Sequence, residues 1–252
     1  MVSPSSLRSV ASILIPNFVL NNNSRHMFNV GAFAFYKGLR VPKGIPPGID
    51  VLNPYQHSDV LLAVEQFLQT YFQDTTTRVG VFGINPGRLG AGLTGISFTD
   101  PVALRENCGI TTTLDGRREL SSEFIYKMID AFGGPRAFYS SFFLSSICPL
   151  GFVRNDKNIN YYDDAELCRA AMPFIHSSMK KQLDLPLRRD IAIVLGTGTL
   201  KRSVEMINAT GGYFERLVFL EHPRYIMQYK RSSIATYIDS YISTLTSVSS
   251  LL

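Results

Sequence analysis

The stretch VGVFGINPGRLGAGLTGISFTDP, Val79 to Pro101, constrains this chain more than any other. It opens as a short apolar run stopped by a turn signal, the pattern of a fully buried strand. Between Gly83 and Gly95 it then carries five glycines and a proline. Glycine reaches conformations closed to other residues and lets a backbone approach a ligand closely. A buried strand ending in such a loop presents backbone N–H groups, Asn85 and Arg88 at the carboxyl edge of a sheet. In open α/β sheets that edge is where ligands bind. The plainer alternative is a long surface loop with turn glycines, because an amide ahead of Pro-Gly also caps a turn.

Three more apolar runs read as strands: Ser141 to Phe152, Asp190 to Gly198 and Arg216 to Leu220. The first central strand spans Arg78 to Ile84. Helical spacing fills the intervals: from Ser58, with Ser58 and Asp59 as cap candidates; from Leu120 to Gly134, with a capping-box pattern; and from Asp163 to Leu185, with Pro173 as a possible kink. Further helices follow at TLKRSVEMINATGG and SSIATYIDSYISTL. Strands alternating with helices imply right-handed crossovers. The expected fold is a three-layer α/β/α sandwich with a central, mainly parallel four-stranded sheet.

At 252 residues, 45% hydrophobic and 18% charged, the chain has the length and apolar content of one domain. The reading is a single domain over 1–252, with 1–54 an irregular N-terminal lead-in rich in Pro and Gly from Val41 to Tyr55. A net charge of +5 gives mild support for a polyanionic partner. Cys108, Cys148 and Cys168 are unclustered, which indicates neither zinc nor a disulfide framework and suits a reducing compartment. Pro16 and Asn17 interrupt the apolar start, so no signal peptide is read there, and no run is long enough to span a membrane.

The unusual residues fall at strand ends. Asn85, Ser145, Ser146 and His222 each close a predicted strand and are expected to face one crevice. His26, His57 and His176 carry no functional expectation. LGTG at Leu195 to Gly198 lacks the GxGxxG fingerprint and reads as a tight turn between strand and helix, and the GINPGRLGAG loop lacks the Gly-Lys-Ser/Thr ending of a phosphate loop. Beside His222, Arg224 and YKRSS from Tyr229 form a basic and aromatic cluster in a polar loop. Cations there neutralise phosphates, and Tyr225, Ile226 or Met227 is available as a wedge into a duplex.

Three of these stretches carry a family resemblance. GINPGRLGAGLTGISF resembles the first motif of the uracil-DNA glycosylase superfamily, in its single-strand-selective monofunctional branch, where Gly-x-Asn-Pro-Gly leads to Thr-Gly-x-x-Phe. HPRYIMQYKR, His222 to Arg231, resembles the second motif, and SSICPLGF resembles the strand between them. The combination is closer to a bacterial second subgroup than to the animal type.

The resemblance implies a monofunctional hydrolase of N-glycosidic bonds that flips a deaminated base out of DNA and releases it, leaving an abasic site. Asn85 and His222 are then the catalytic residues, with Asn85 holding the attacking water and His222 stabilising charge on the departing base. Gly83, Ile84, Gly87, Phe98 and Ser146 contact the base, and Phe98 stacks on it. Pro86, Arg88, Pro223, Arg224, Tyr225, Gln228, Lys230 and Arg231 bind DNA. The implied partner is DNA containing deaminated bases, bound by a monomer with no cofactor, metal, iron–sulfur cluster or membrane, in a bacterial cytoplasm at the nucleoid.

Two departures stand out. Asn85 is an amide where the most active uracil-specific branch has an aspartate, so it does not take up the water's proton. Ser146 stands where the family commonly has asparagine, and a hydroxyl does not make the paired contact of an amide. The space left, with Gly90 and Gly92, suits hypoxanthine or xanthine as well as uracil. The alternatives are a non-catalytic binder of damaged or single-stranded DNA on the same fold, and a nucleotide-binding enzyme using LGTG.

Overall fold

A computed structural model describes residues 27–250; His26 and the rest of the first 26 positions lie outside them. The expected lead-in is partly regular. α1 (Phe28–Lys37) buries Phe28, Ala32, Phe35 and Tyr36 at helical spacing. Asn29 and Gly31 blur that period in the sequence. The helix is secured by tertiary packing, with the Phe28 ring 5.2 Å from Phe72 and 5.0 Å from Phe143. β1 (Asp50–Leu52) also emerges from the lead-in. α2 (Ser58–Tyr71) follows, with His57, rather than Ser58 or Asp59, at its N-cap.

β2 (Arg78–Gly83) is buried at all six positions, as its apolar run predicts. α3 (Ala91–Thr94) and α4 (Pro101–Glu106) carry the chain to α5 (Leu120–Phe132). The cap of α5 is the Glu119 carboxylate, which accepts from the Ser121 and Ser122 amides, not the serine of a capping box. After α6 (Pro135–Ser141) comes β3 (Phe142–Ser146), shorter than the expected strand. Past its end come Pro149, which has no N–H for a ladder, and a hairpin: β4 (Gly151–Arg154) and β5 (Lys157–Ile159) turn through Asn155 and Asp156, both left-handed at φ 49° and 58°.

α7 (Ala165–Gln182) runs through Pro173. β6 (Leu187–Leu195) begins three residues before the expected start, because the charged run Arg188-Arg189-Asp190 hides its strand character. Then come α8 (Gly198–Gly211), β7 (Arg216–Leu220), α9 (Pro223–Tyr229) and α10 (Ile234–Ser249). α9 replaces the polar loop expected after His222. Proline is favourable in a first helical turn, and His222 supplies the cap.

The main sheet has the order β3-β2-β6-β7, with every pairing parallel. β1, β4 and β5 form a separate antiparallel sheet. α7 and α8 set Met179, Val204 and Ile207 against Phe82 and Val194 of the main sheet. α5 packs on α9 and α10, with Phe124 edge-on to Tyr241 at 5.0 Å. The three-layer α/β/α expectation holds. Cys108 and Cys148 are buried free thiols whose ionisation burial pushes up to about 12. Among the described residues no helix is long and apolar enough to cross a membrane, and no cluster suits a metal ion.

Candidate active site

The carboxyl ends of β2, β3 and β7 open onto one cleft of about 680 Å³. Parallel pairing sets Gly83 beside Ser146, which brings the glycine loop and the end of β3 together. Gly83, Ile84, Asn85, Pro86, Gly87 and Arg88 line the cleft from the loop. Phe98, Ser146 and His222 line its interior, and Arg224, Tyr225 and Gln228 its α9 side. Pro223, Lys230 and Arg231 do not border it. Ile226 and Met227 are buried at 0% and 2% exposure, so both are core residues of α9 and neither is a wedge. Tyr225 and Tyr229 are the exposed aromatics of that helix, with rings 5.4 Å apart.

Phe98 sits in left-handed backbone at φ 55°, a conformation that costs free energy in a non-glycine residue. Surrounding contacts impose it. Thr94 Oγ1 donates to the Thr99 carbonyl at 2.6 Å. Tyr55 donates to the Gly95 carbonyl at 2.8 Å. The strained turn lays the Phe98 ring over Gly83, where a Cβ would stand 2.6 Å from the ring. A side chain at Gly83 would displace the Phe98 ring. Gly92 serves closure of the loop rather than room for a ligand, since a Cβ there would lie 2.7 Å from the Gly87 carbonyl oxygen. At Gly90 a Cβ would stand 3.8 Å from Glu119 Cγ, an ordinary contact, so a side chain there is tolerated.

The Asn85 carboxamide is held by backbone at and just past the end of β5. Its Nδ2 donates to the Ile159 carbonyl at 3.3 Å, and the Tyr161 amide donates to its Oδ1 at 3.2 Å. These bonds fix which way the amide faces and leave a second Oδ1 lone pair for another donor. His222 caps α9: the Arg224 amide donates to its Nδ1 at 3.1 Å, so the neutral ring carries its proton on Nε2. Loss of water around the ring, and then the Arg224 guanidinium, push the His222 pKa down to about 4. The imidazole is therefore a neutral donor at physiological pH, 6.2 Å between centroids from the Phe98 ring.

Ser146 is 5% exposed, and its carbonyl accepts from Gln182 Nε2 at 3.2 Å. The Ser145 hydroxyl donates instead to Gln182 Oε1, away from the cleft, so of the two serines only Ser146 borders it.

The match to known families decides what this arrangement belongs to. The model of the uracil DNA glycosylase superfamily matches residues 69–246. The chain belongs to that superfamily. The uracil DNA glycosylase fold is shared with a crystal structure of wild-type SMUG2 from Pedobacter heparinus, at 43% identity and a TM-score of 0.85, over 88% of this chain and 98% of that one. No curated protein matches.

For a glycosylase fold the hairpin wall of the cleft is the part that sequence reading missed. Asp156, Lys157, Asn158 and Asn160 line the cleft from the β4–β5 hairpin. In the sequence NDKN is a plain hairpin turn, and nothing local signals that it folds over the Asn85 loop. Arg117 and Glu119 line the cleft too, and Glu119 Oε1 lies 3.7 Å from Arg224 Nη1. His176, given no role, binds the Tyr213 hydroxyl through Nδ1 at 2.7 Å, and LGTG is a turn with Gly196 and Gly198 at positive φ.

Proposed function

We propose that this protein hydrolyses the N-glycosidic bond of a deaminated base in DNA and leaves an abasic site without cutting the strand. One observation carries the reading: Asn85, Phe98, Ser146 and His222, from four separate segments, line a single cleft at the carboxyl edge of a parallel sheet. A glycosidic bond is unreachable inside a duplex, so the nucleotide must be extruded, and Phe98 offers a face for the extruded base to stack on. Asn85 Oδ1 accepts a hydrogen bond from water and aims its oxygen at C1′; as the C1′–O bond forms, the proton that the water sheds passes to solvent or to the departing base, since the amide does not take it up. As the C1′–N bond breaks, its electron pair stays with the base, and the neutral His222 Nε2–H donates to the oxygen that gathers this charge. A preorganised donor of that kind is worth roughly 10²-fold in rate or more.

Ser146 supports a substrate range wider than uracil. Its short hydroxyl contacts one atom of a base edge where a carboxamide pairs with two. Hypoxanthine and xanthine join uracil as the proposed bases. The chain carries the acceptor and donor that hydrolysis needs, which favours catalysis over mere binding of damaged DNA.

The deciding measurement is base release from duplexes and single strands containing uracil, hypoxanthine or xanthine, with alkali added afterwards to cut abasic sites. Release of at least one purine is expected, with cutting only after alkali. Asn85→Ala and His222→Ala should each lower the single-turnover rate roughly 10²-fold. Release of uracil alone removes the broad-pocket reading. Activity that survives the double substitution moves the site elsewhere.

A further inference from the structure

We infer that Asn158, on the β4–β5 hairpin, is a positioning residue for the Asn85 loop; the inference rests on the glycosylase reading of that loop. After Asn85 the loop closes on itself, with the amides of Gly90 and Gly92 donating to the Gly87 carbonyl at 3.2 and 2.9 Å. It is also pressed against β4, where a Cβ on Gly151 would stand 2.3 Å from the Pro86 carbonyl oxygen. Pro86 offers no N–H, so the next backbone donor past Asn85 and Pro86 that reaches outward is on Gly87 or Arg88. The Arg88 amide donates to Asn158 Oδ1 at 3.1 Å. The same carboxamide presses Nδ2 to 3.0 Å from a Cβ position on Gly87.

The hairpin thus grips the loop at Asn85 itself and again just after it. The backbone at Ile159 and Tyr161 holds the Asn85 side chain, and the Asn158 side chain holds the backbone three residues on. The far end of the hairpin is itself anchored, because the buried Tyr161 hydroxyl lies 2.9 Å from Ser203 Oγ on α8. Asn158 touches no reacting atom. Its effect is on where Asn85 Oδ1 points, and misplacing a group that aims a water costs rate without costing DNA contacts.

The test separates the acceptor from the side chain. Asn158→Ala removes the acceptor, and Asn158→Asp keeps it while adding negative charge to a cleft that takes DNA. Asn158→Ala should lower the single-turnover rate about 5- to 10-fold, the scale of one lost hydrogen bond, with oligonucleotide affinity and melting temperature unchanged. Asn158→Asp should keep the rate within about twofold and weaken DNA binding most at low salt. The positioning role is overturned if Asn158→Ala keeps the wild-type rate, if Asn158→Asp loses rate equally, or if the rate loss tracks a loss of folded protein. A wild-type protein that releases no base at all overturns the glycosylase reading instead, and this role with it.

Discussion

The neutral state of His222 is set by removal of the ring from water and then by the Arg224 guanidinium, and one backbone bond sets its tautomer. The Arg224 amide occupies Nδ1 and leaves Nε2–H as the group that faces the cleft. With its pKa lowered to about 4 from the ordinary value, the ring binds fewer protons when folded than when unfolded between that pH and about 6.5. This histidine therefore costs stability as pH falls through that window and contributes nothing above it. The same shift governs activity. The ratio of wild-type to His222→Gln single-turnover rates should stay flat from pH 8 down to pH 5.5, and a step centred near 6.5 would show that the cation is the working form. At Gly83 the constraint is steric: the Phe98 ring occupies the space a methyl group needs.

At the scale of elements, α9 divides its two jobs between its faces. Ile226 and Met227 are buried on the side that packs against α5, while Tyr225 and Tyr229 are exposed, at 41% and 64%. Replacing Ile226 by alanine should cost about 2–5 kcal/mol of stability, as for other buried aliphatic residues. Replacing Tyr225 should leave stability nearly intact and weaken binding of a lesion-containing oligonucleotide about tenfold, the scale of one base–aromatic stack. Thermal unfolding and fluorescence anisotropy on the two variants check the division. A Tyr225→Ala protein with unchanged affinity would mean that α9 does not meet the DNA through this face. A sequence window does not reveal such a division. HPRYIMQYKR is too polar and too short to declare a helix, and which of its apolar residues turn inward depends on α5, distant in the chain.

For the molecule as a whole, the site and the stabilising centre lie at opposite ends of β2. At its first residue Arg78 is fully buried, donating from Nε to the Tyr139 carbonyl at 2.7 Å and pairing with Asp74 at 2.8 Å. Its guanidinium lies 4.9 Å from the Phe28 ring centroid and 4.8 Å from that of Phe72. Arg78→Ala leaves those partners unmatched and opens a cavity, at a cost of about 3–5 kcal/mol. Urea unfolding should register that loss, while base release per folded molecule stays near wild type because the cleft is built at the other end of the strand. A fall in rate at full folding would show that the two ends are coupled.

The amino-acid sequence by itself determined the alternation of strands and helices, the mainly parallel sense of a four-stranded main sheet, and Asn85 and His222 at strand ends, while Phe98 entered through the family resemblance of its motif. The elements follow from local apolar period and turn chemistry, and the match over residues 69–246 agrees with the family that the motifs resemble. Only the tertiary structure decided that Ile226 and Met227 are core, that Glu119 caps α5, that a helix lies within the lead-in, and that the 151–161 hairpin forms a wall of the cleft. Each of these depends on contacts between residues far apart in the chain. Asn85 is held by Ile159 and Tyr161, more than seventy positions away. Periodicity within a window carries no information about such partners, because burial and hydrogen bonding are set by what packs against a segment.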